Sequence, residues 1–251
     1  MNKTFLLISI LSLWACQEHA NTLSKVEGRQ IQINDSIQKN QDLEEYIKPF
    51  RQRIEVEMKG KLAYAPKAMY KSDYKLNTPI GNMMADAVKE MANPIFQSRT
   101  GKNIDVVLLN YGGIRSGINA GDITTKTAYN IMPFENKVAV AAFTSDELKS
   151  LVEFLAQSKT AHPLSGLQVT LDAEGNLKAF NVNGEPIQQK IYHVATSDYL
   201  VKGGDSMDFF LSADSVDMLD YKLRDLFIDY FKKKDTLAPV HDKRFYKLNI
   251  Q

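Results

Sequence analysis

Apolar positions recur along this chain with two periods, one near 3.6 and one near 2, and their alternation outlines the elements. Leu43, Tyr46, Ile47, Phe50, Ile54 and Met58 follow at helical spacing, predicting a helix over 42–58. Pro49 either kinks that helix or marks its true start. Thr78-Pro79 is an N-cap residue followed by proline, and it opens a second helix whose stripe is Ile80, Met83, Met84, Ala87, Val88 and Met91. Residues 104–109 are short, β-branched and apolar, then meet Gly112-Gly113, which predicts a buried strand ending in a glycine turn. Residues 138–143 read as another strand. Thr144 to Glu147 then has capping-box form, for a helix through Gln157. Residues 167–171 and 177–182 flank Asp172-Ala173-Glu174-Gly175-Asn176 as a hairpin. Residues 191–196 form a further strand, 216–232 a long amphipathic helix, and 244–248 a short closing strand. Interleaved strands and helices with one hairpin predict a mixed α/β domain, a mixed sheet flanked by helices.

The N-terminus has a different pattern. Lys3 precedes an apolar run, residues 5–11, which is too short to span a bilayer as a helix and ends in Leu13-Trp14-Ala15-Cys16. This resembles the bacterial lipobox, with its small residue before the cysteine and leucine three before it; Trp14 is bulkier than usual. The expectation is a lipoprotein signal peptide over 1–15 with the lipid on Cys16, exported and anchored in the cell envelope. An ordinary secretory signal with an incidental cysteine is the alternative. Residues 16–40, rich in Gln, Asn, Ser, Glu and Lys, read as a solvated tether. A linker helix over 41–60 and a domain over 61–251 complete the expected organisation.

With 251 residues, 44% of them hydrophobic, the chain can bury a sizeable core. Its 31 Lys and Arg against 30 Asp and Glu argue against a dedicated nucleic-acid binder and against wholesale disorder. Loss of Lys3 with the signal leaves 30 against 30, so anions must be drawn by a few placed groups. One cysteine excludes a disulfide framework or a Cys-rich zinc site, and histidines at 19, 162, 193 and 241 are too scattered for a local metal motif.

Three segments carry candidate chemistry. The first is Asn110-Tyr111-Gly112-Gly113-Ile114-Arg115. Paired glycines after a buried strand let a ligand approach the backbone, Asn110 offers an amide, and Arg115 a planar fork for phosphate. A plain surface loop is the simpler reading. The second is Pro133-Phe134-Glu135-Asn136, where Phe134 is either a stacking platform or a plug under the loop. The third runs from Tyr192 through Tyr199 to Gly203-Gly204-Asp205. There Asp205 accepts from a sugar diol or merely caps the turn. Together the segments supply two aromatic rings, a cation, an amide and a carboxylate, which a stacked base, a ribose and a phosphate require.

These stretches, with residues 80–87 and Gly121-Asp122-Ile123-Thr124, resemble in order the C-terminal, substrate-binding domain of the 5'-nucleotidases, UDP-sugar hydrolases and cyclic phosphodiesterases. The resemblance covers residues 61 to 248. It implies the fold of that domain, with Phe134 and Tyr199 (usually Phe) stacking on the base and Asn110 approaching it. By the same resemblance, Arg115 lies near the phosphate and Asp205 takes ribose hydroxyls; Gly112 and Gly113, which let a ligand approach the backbone, complete the expected substrate-binding set. Gly81-Asn82 and Asp86-Ala87 are assigned mainly to structure. The chain departs from the pattern at Leu76-Asn77, where a basic and an acidic residue often stand, although Lys71 and Lys75 are close by. It departs again at Glu135, commonly glycine, and at Ser206-Met207, commonly Gly-Phe.

In that family, hydrolysis belongs to a metallophosphatase domain with two metal ions, held by Asp-x-His and Gly-Asn-His patterns. Neither pattern occurs here. The expectation is therefore a chain with no metal or other cofactor of its own and no catalytic residue. It would bind a nucleotide or nucleoside, and hydrolyse it only with a separate metallophosphatase subunit that brings the divalent metals. The 42–58 helix is a candidate docking surface for that subunit, or it packs on its own domain. A non-enzymatic nucleotide- or nucleoside-binding lipoprotein for uptake, and a structural remnant without binding, are the alternatives. No nucleic-acid partner is expected.

Overall fold

The computed structural model describes residue 23 and residues 25–248. Cys16 and the apolar run before it lie outside the described residues. The chain divides into two units, one up to Lys48 and one from Pro49. In the first, residues 25–40 form no helix or strand, and a turn at Asn34 is closed by Ser36, whose N–H donates to Asn34 Oδ1 at 3.0 Å.

Helix α1, Gln41–Lys59, crosses the division. Its start is capped by Asn40, which accepts the Leu43 N–H at 3.1 Å. Pro49 sits inside it, and none of its residues is buried. Among the described residues no helix is long and apolar enough to cross a membrane.

The second unit is a mixed α/β fold. Its centre is a five-stranded sheet in the order β5 (Leu164–Ser165), β2 (Val106–Leu108), β8 (Tyr192–Ser197), β4 (Lys137–Phe143), β9 (Ser215–Lys222). Strands β2 and β8 run parallel, while the other neighbours pair antiparallel. Side chains alternate across this sheet into two cores, as strand geometry requires. Val107, Val138, Val140 and Ala195 face helices α2 (Pro79–Thr100) and α5 (Leu223–Lys234). Val106, Leu108, Ala141, Phe143 and Val194 face helix α4 (Ser145–Ser158) and a three-stranded sheet. That smaller sheet pairs β10 (Phe245–Lys247) parallel with β6 (Leu167–Leu171), and β6 antiparallel with β7 (Leu177–Val182). A two-stranded ribbon, β1 (Lys61–Ala65) with β3 (Gly121–Thr124), closes the first core, and the short helix α3 (Thr125–Ile131) follows it.

Local chemistry explains the boundaries. Thr78 Oγ1 accepts the Gly81 N–H at 3.2 Å and Pro79 occupies the first turn, so α2 begins where the residue types demand. Gly101, at φ 71°, ends it. Thr144 and Glu147 form the reciprocal capping box of α4. Asp172 Oδ1 accepts from the N–H groups of Gly175 and Asn176, both at 2.7 Å, and fixes the β6–β7 hairpin. The start of α2 is tied to the end of the chain. Asn82 Nδ2 donates to the Val240 carbonyl at 2.9 Å, and Asp86 takes Arg244 on both oxygens at 2.9 and 3.0 Å.

One expected element is corrected. Residues 216–232 are not a single helix but β9 followed by α5. Strand β9 carries a bulge, where the stretch from Met218 to Lys222 lies opposite the shorter stretch from Ala139 to Lys137, with Asp220 in the left-handed region at φ 53°. The bulge breaks the strict alternation of a strand, leaving Val216, Leu219 and Lys222 at a spacing that reads as helical.

Candidate functional site

Strands β2 and β8 are parallel neighbours, so their carboxyl ends emerge on the same side of the sheet. Both run into glycine turns there, the position at which α/β sheets commonly take ligands. Loop 132–136, between α3 and β4, borders them. A cavity of about 400 Å³ lies among the three. Asn110, Gly112, Gly113, Arg115, Phe134, Tyr199 and Asp205 all line it, and Leu109, Met132 and Leu223 supply apolar lining. Its size and mixed lining suit a small organic ligand.

Phe134 and Tyr199 are large aromatic side chains left 41% and 45% exposed at this cavity. Phe134 is therefore not a plug under its loop. The Arg115 guanidinium lies 5.8 Å from the Phe134 ring centre and makes only a long contact, 3.4 Å, to the Gly112 carbonyl, with no acidic partner among the described residues. Asp205 is the hub of the opposite wall. Asn110 Nδ2 donates to one carboxylate oxygen at 2.7 Å and the Tyr199 hydroxyl to the other at 2.9 Å. The Asp205 N–H in turn donates to the Tyr199 hydroxyl at 3.2 Å. A carboxylate has about four lone-pair positions, so Asp205 keeps acceptor capacity for a ligand hydroxyl.

The glycines are required by close approach. A β-carbon on Gly113 would stand 2.6 Å from Asn110 Oδ1, and one on Gly204 would stand 2.4 Å from the Tyr199 ring. Asp205 and Ser206 both take left-handed backbone, at φ 53° and 59°. Each costs on the order of 1 kcal/mol for a side-chain-bearing residue, and the Tyr199–Asp205–Asn110 contacts hold them there.

Three supporting residues carried no usable signal in the sequence. His162, 8% exposed, accepts the Tyr111 N–H on Nδ1 at 3.1 Å and so fixes the turn that follows Asn110. Burial pushes its imidazole down to about 4, against a smaller pull upward from Asp205, so it stays neutral near pH 7. Arg224, 5% exposed, donates to the Pro133 carbonyl at 3.1 Å, pairs with Glu135 and lies over the Tyr129 ring at 4.2 Å. Lys222 also pairs with Glu135. The Lys222 and Arg224 hydrogen bonds hold the Glu135 carboxyl down at about 2. Glu135 at a common glycine position was a visible departure, but its partners lay almost ninety residues away.

Outside the cavity lining, the Lys71 ammonium lies 4.4 Å from the Tyr111 ring centre. Among the described residues no group of three or more His, Cys, Asp or Glu side chains is placed to hold a metal ion.

Residues 56–212 match the family model 5'-nucleotidase, C-terminal domain. The chain is 26% identical over 219 residues to the trifunctional nucleotide phosphoesterase protein YfkN of Bacillus subtilis (strain 168), covering 80% of this chain and 15% of that protein. It is 34% identical over 111 residues to Protein UshA of Escherichia coli (strain K12), covering 43% of this chain and 20% of that one. Among solved structures, the 5'-nucleotidase precursor from Thermus thermophilus shares the fold with a TM-score of 0.68 at 22% identity. That likeness covers 83% of this chain and 43% of the other. The chain thus spans less than half the length of each of these relatives.

Proposed function

Because the chain belongs to the 5'-nucleotidase, C-terminal domain family, we propose that it is the nucleotide- or nucleoside-binding part of a 5'-nucleotidase-type phosphohydrolase in nucleotide catabolism. The observation that carries this reading is the convergence of two exposed aromatic rings, a guanidinium without an acidic partner and a hydrogen-bonded carboxylate on one cavity. In this reading Phe134 and Tyr199 bracket the base, while Asn110 meets its edge. Asp205 takes ribose hydroxyls, and Arg115 draws the phosphate.

In this reading phosphate-ester cleavage falls to a metallophosphatase subunit in a separate chain, which brings its own divalent metals. The chain is exported and held to the membrane by lipid on Cys16, which puts the cavity in the cell envelope. The relative named as a trifunctional nucleotide phosphoesterase supports the substrate class.

Titration of AMP, UMP and adenosine into the purified protein tests the site. Stacking contributes ~1–3 kcal/mol per base, so Phe134→Ala with Tyr199→Ala is expected to weaken AMP binding on the order of 100-fold. No binding of any of the three at millimolar concentration, or binding indifferent to the double substitution, overturns the reading. Metal-dependent hydrolysis of AMP by this chain alone overturns the assignment of chemistry to a partner.

A further inference from the structure

A second cavity, of about 510 Å³, lies between the Tyr74–Leu76 segment, the β6–β7 hairpin, the end of α4 and strand β10. It shares no lining residue with the first. Lys75, Lys159 and Lys247 line it, and no acidic side chain does. None of the three lysines has an ion-pair partner among the described residues, whereas nearby Arg244 is taken up by Asp86 and Asp242. The rest of the lining is apolar or aromatic: Leu76, Leu171, Phe245, Tyr246 and the Tyr74–His241 pair, whose rings stack at 4.0 Å and 10°.

The lysines are brought together by backbone features. Lys159 ends α4 in the left-handed region at φ 49°, and its ammonium lies 3.0 Å from where a Gly175 β-carbon would stand. The Lys247 ammonium lies 3.9 Å from the same point, so the two are within about 7 Å of each other. Gly175 itself, at φ 93°, is fixed by the Asp172 turn and leaves the space they use. A lysine at a helix C-terminus is favourable for the helix alone. That accounts for Lys159, but not for Lys247 and Lys75 converging on the same apolar cavity without an acid.

We propose that this cavity is a second ligand site, for a free phosphate monoester carrying a planar ring. Like charges held close on flexible stems repel until an anion sits among them. An ammonium, a compact charge with three rotatable donors, suits a phosphate. The aromatic wall takes the planar body. The site stands independently of the base-stacking reading, since none of its residues belongs to that cavity.

The test uses the full chain, with inorganic phosphate, AMP, and phosphatidylcholine vesicles with and without phosphatidic acid, at low and high salt. Resonances of the Gly175 and Tyr246 amides report binding at this cavity. Both are expected to shift saturably with phosphate and with AMP, less so at high salt. Lys159→Gln with Lys247→Gln, two exposed positions, is expected to weaken that binding at least about tenfold. Phe134→Ala with Tyr199→Ala is expected to leave it unchanged, so failure of one site does not imply failure of the other. Unmoved Gly175 and Tyr246 amides, shifts indifferent to the lysine substitutions, or a response only to phosphatidic acid vesicles would each overturn the proposal.

Discussion

The two walls of the first cavity are held by different forces. The Phe134 wall is clamped by charge: Glu135 is paired with Lys222 and with buried Arg224, which also holds the Pro133 carbonyl. The Tyr199 wall is held by a compact hydrogen-bond cluster around Asp205, by two residues in left-handed backbone, and behind them by a buried neutral histidine. One wall draws on ion pairs, the other on hydrogen bonds and constrained backbone, and both join residues far apart in sequence. A site built this way responds unevenly to perturbation, because acid, salt and substitution act on each wall separately.

Acid should separate the walls most. His162 is held neutral, with its imidazole lowered from 6.5 to about 4 by burial. The unfolded chain therefore takes up this proton first. The associated stability is complete above about pH 6.5 and is lost as pH falls toward 4, by up to about 3 kcal/mol. Glu135, held at about 2 by Lys222 and Arg224, keeps its charge across that whole window. Urea unfolding between pH 7 and 4 is expected to show a drop that His162→Asn flattens. Parallel drops in both proteins would remove the histidine from the account.

Arg224→Ala comes next. It takes away the Pro133 contact and one partner of Glu135, and is expected to cost about 2 kcal/mol in urea unfolding and to loosen the Phe134 loop. Lys222→Ala, at an exposed ion pair, is expected to cost far less than Arg224→Ala. Equal costs for the two would contradict the clamp. Tyr199→Phe is the mildest change. The ring stays, the hydroxyl bond to Asp205 goes, and AMP affinity is expected to fall about fivefold, near 1 kcal/mol. A loss as large as that of Tyr199→Ala would show that the hydroxyl, not the ring, carries the contact.

Much of the fold was legible because its signals are local. The Thr78-Pro79 start of α2, the Thr144–Glu147 box and the Asp172–Gly175 turn each satisfy their own backbone within four residues. The reading of 216–232 as one helix failed where a bulge hid a strand's period from a pattern that assumes none. Strands β1 and β3, at most five residues each, are too short for an alternating pattern to register as a ribbon. For the site, Asn110, Phe134, Tyr199 and Asp205 could be picked out singly by residue type. Their meeting depends on the parallel pairing of β2 with β8, which no local pattern encodes, and only the family resemblance pointed to it. His162 and Arg224 escaped even that, since a buried histidine and a helix arginine look ordinary until the backbone groups they hold are in place.

That parallel pairing has a kinetic consequence. Asn110 and Asp205 stand 95 residues apart in sequence, and the Arg224 bond to Pro133 closes a loop of 91. Contacts of such separation form late, because the chain entropy of closing them must be met before they stabilise anything. Synthesis from the N-terminus supplies Asn110 and Pro133 well before Asp205 and Arg224. The cavity therefore cannot precede the completed sheet, and under the proposed function ligand binding at Phe134 and Tyr199 is a readout of finished folding.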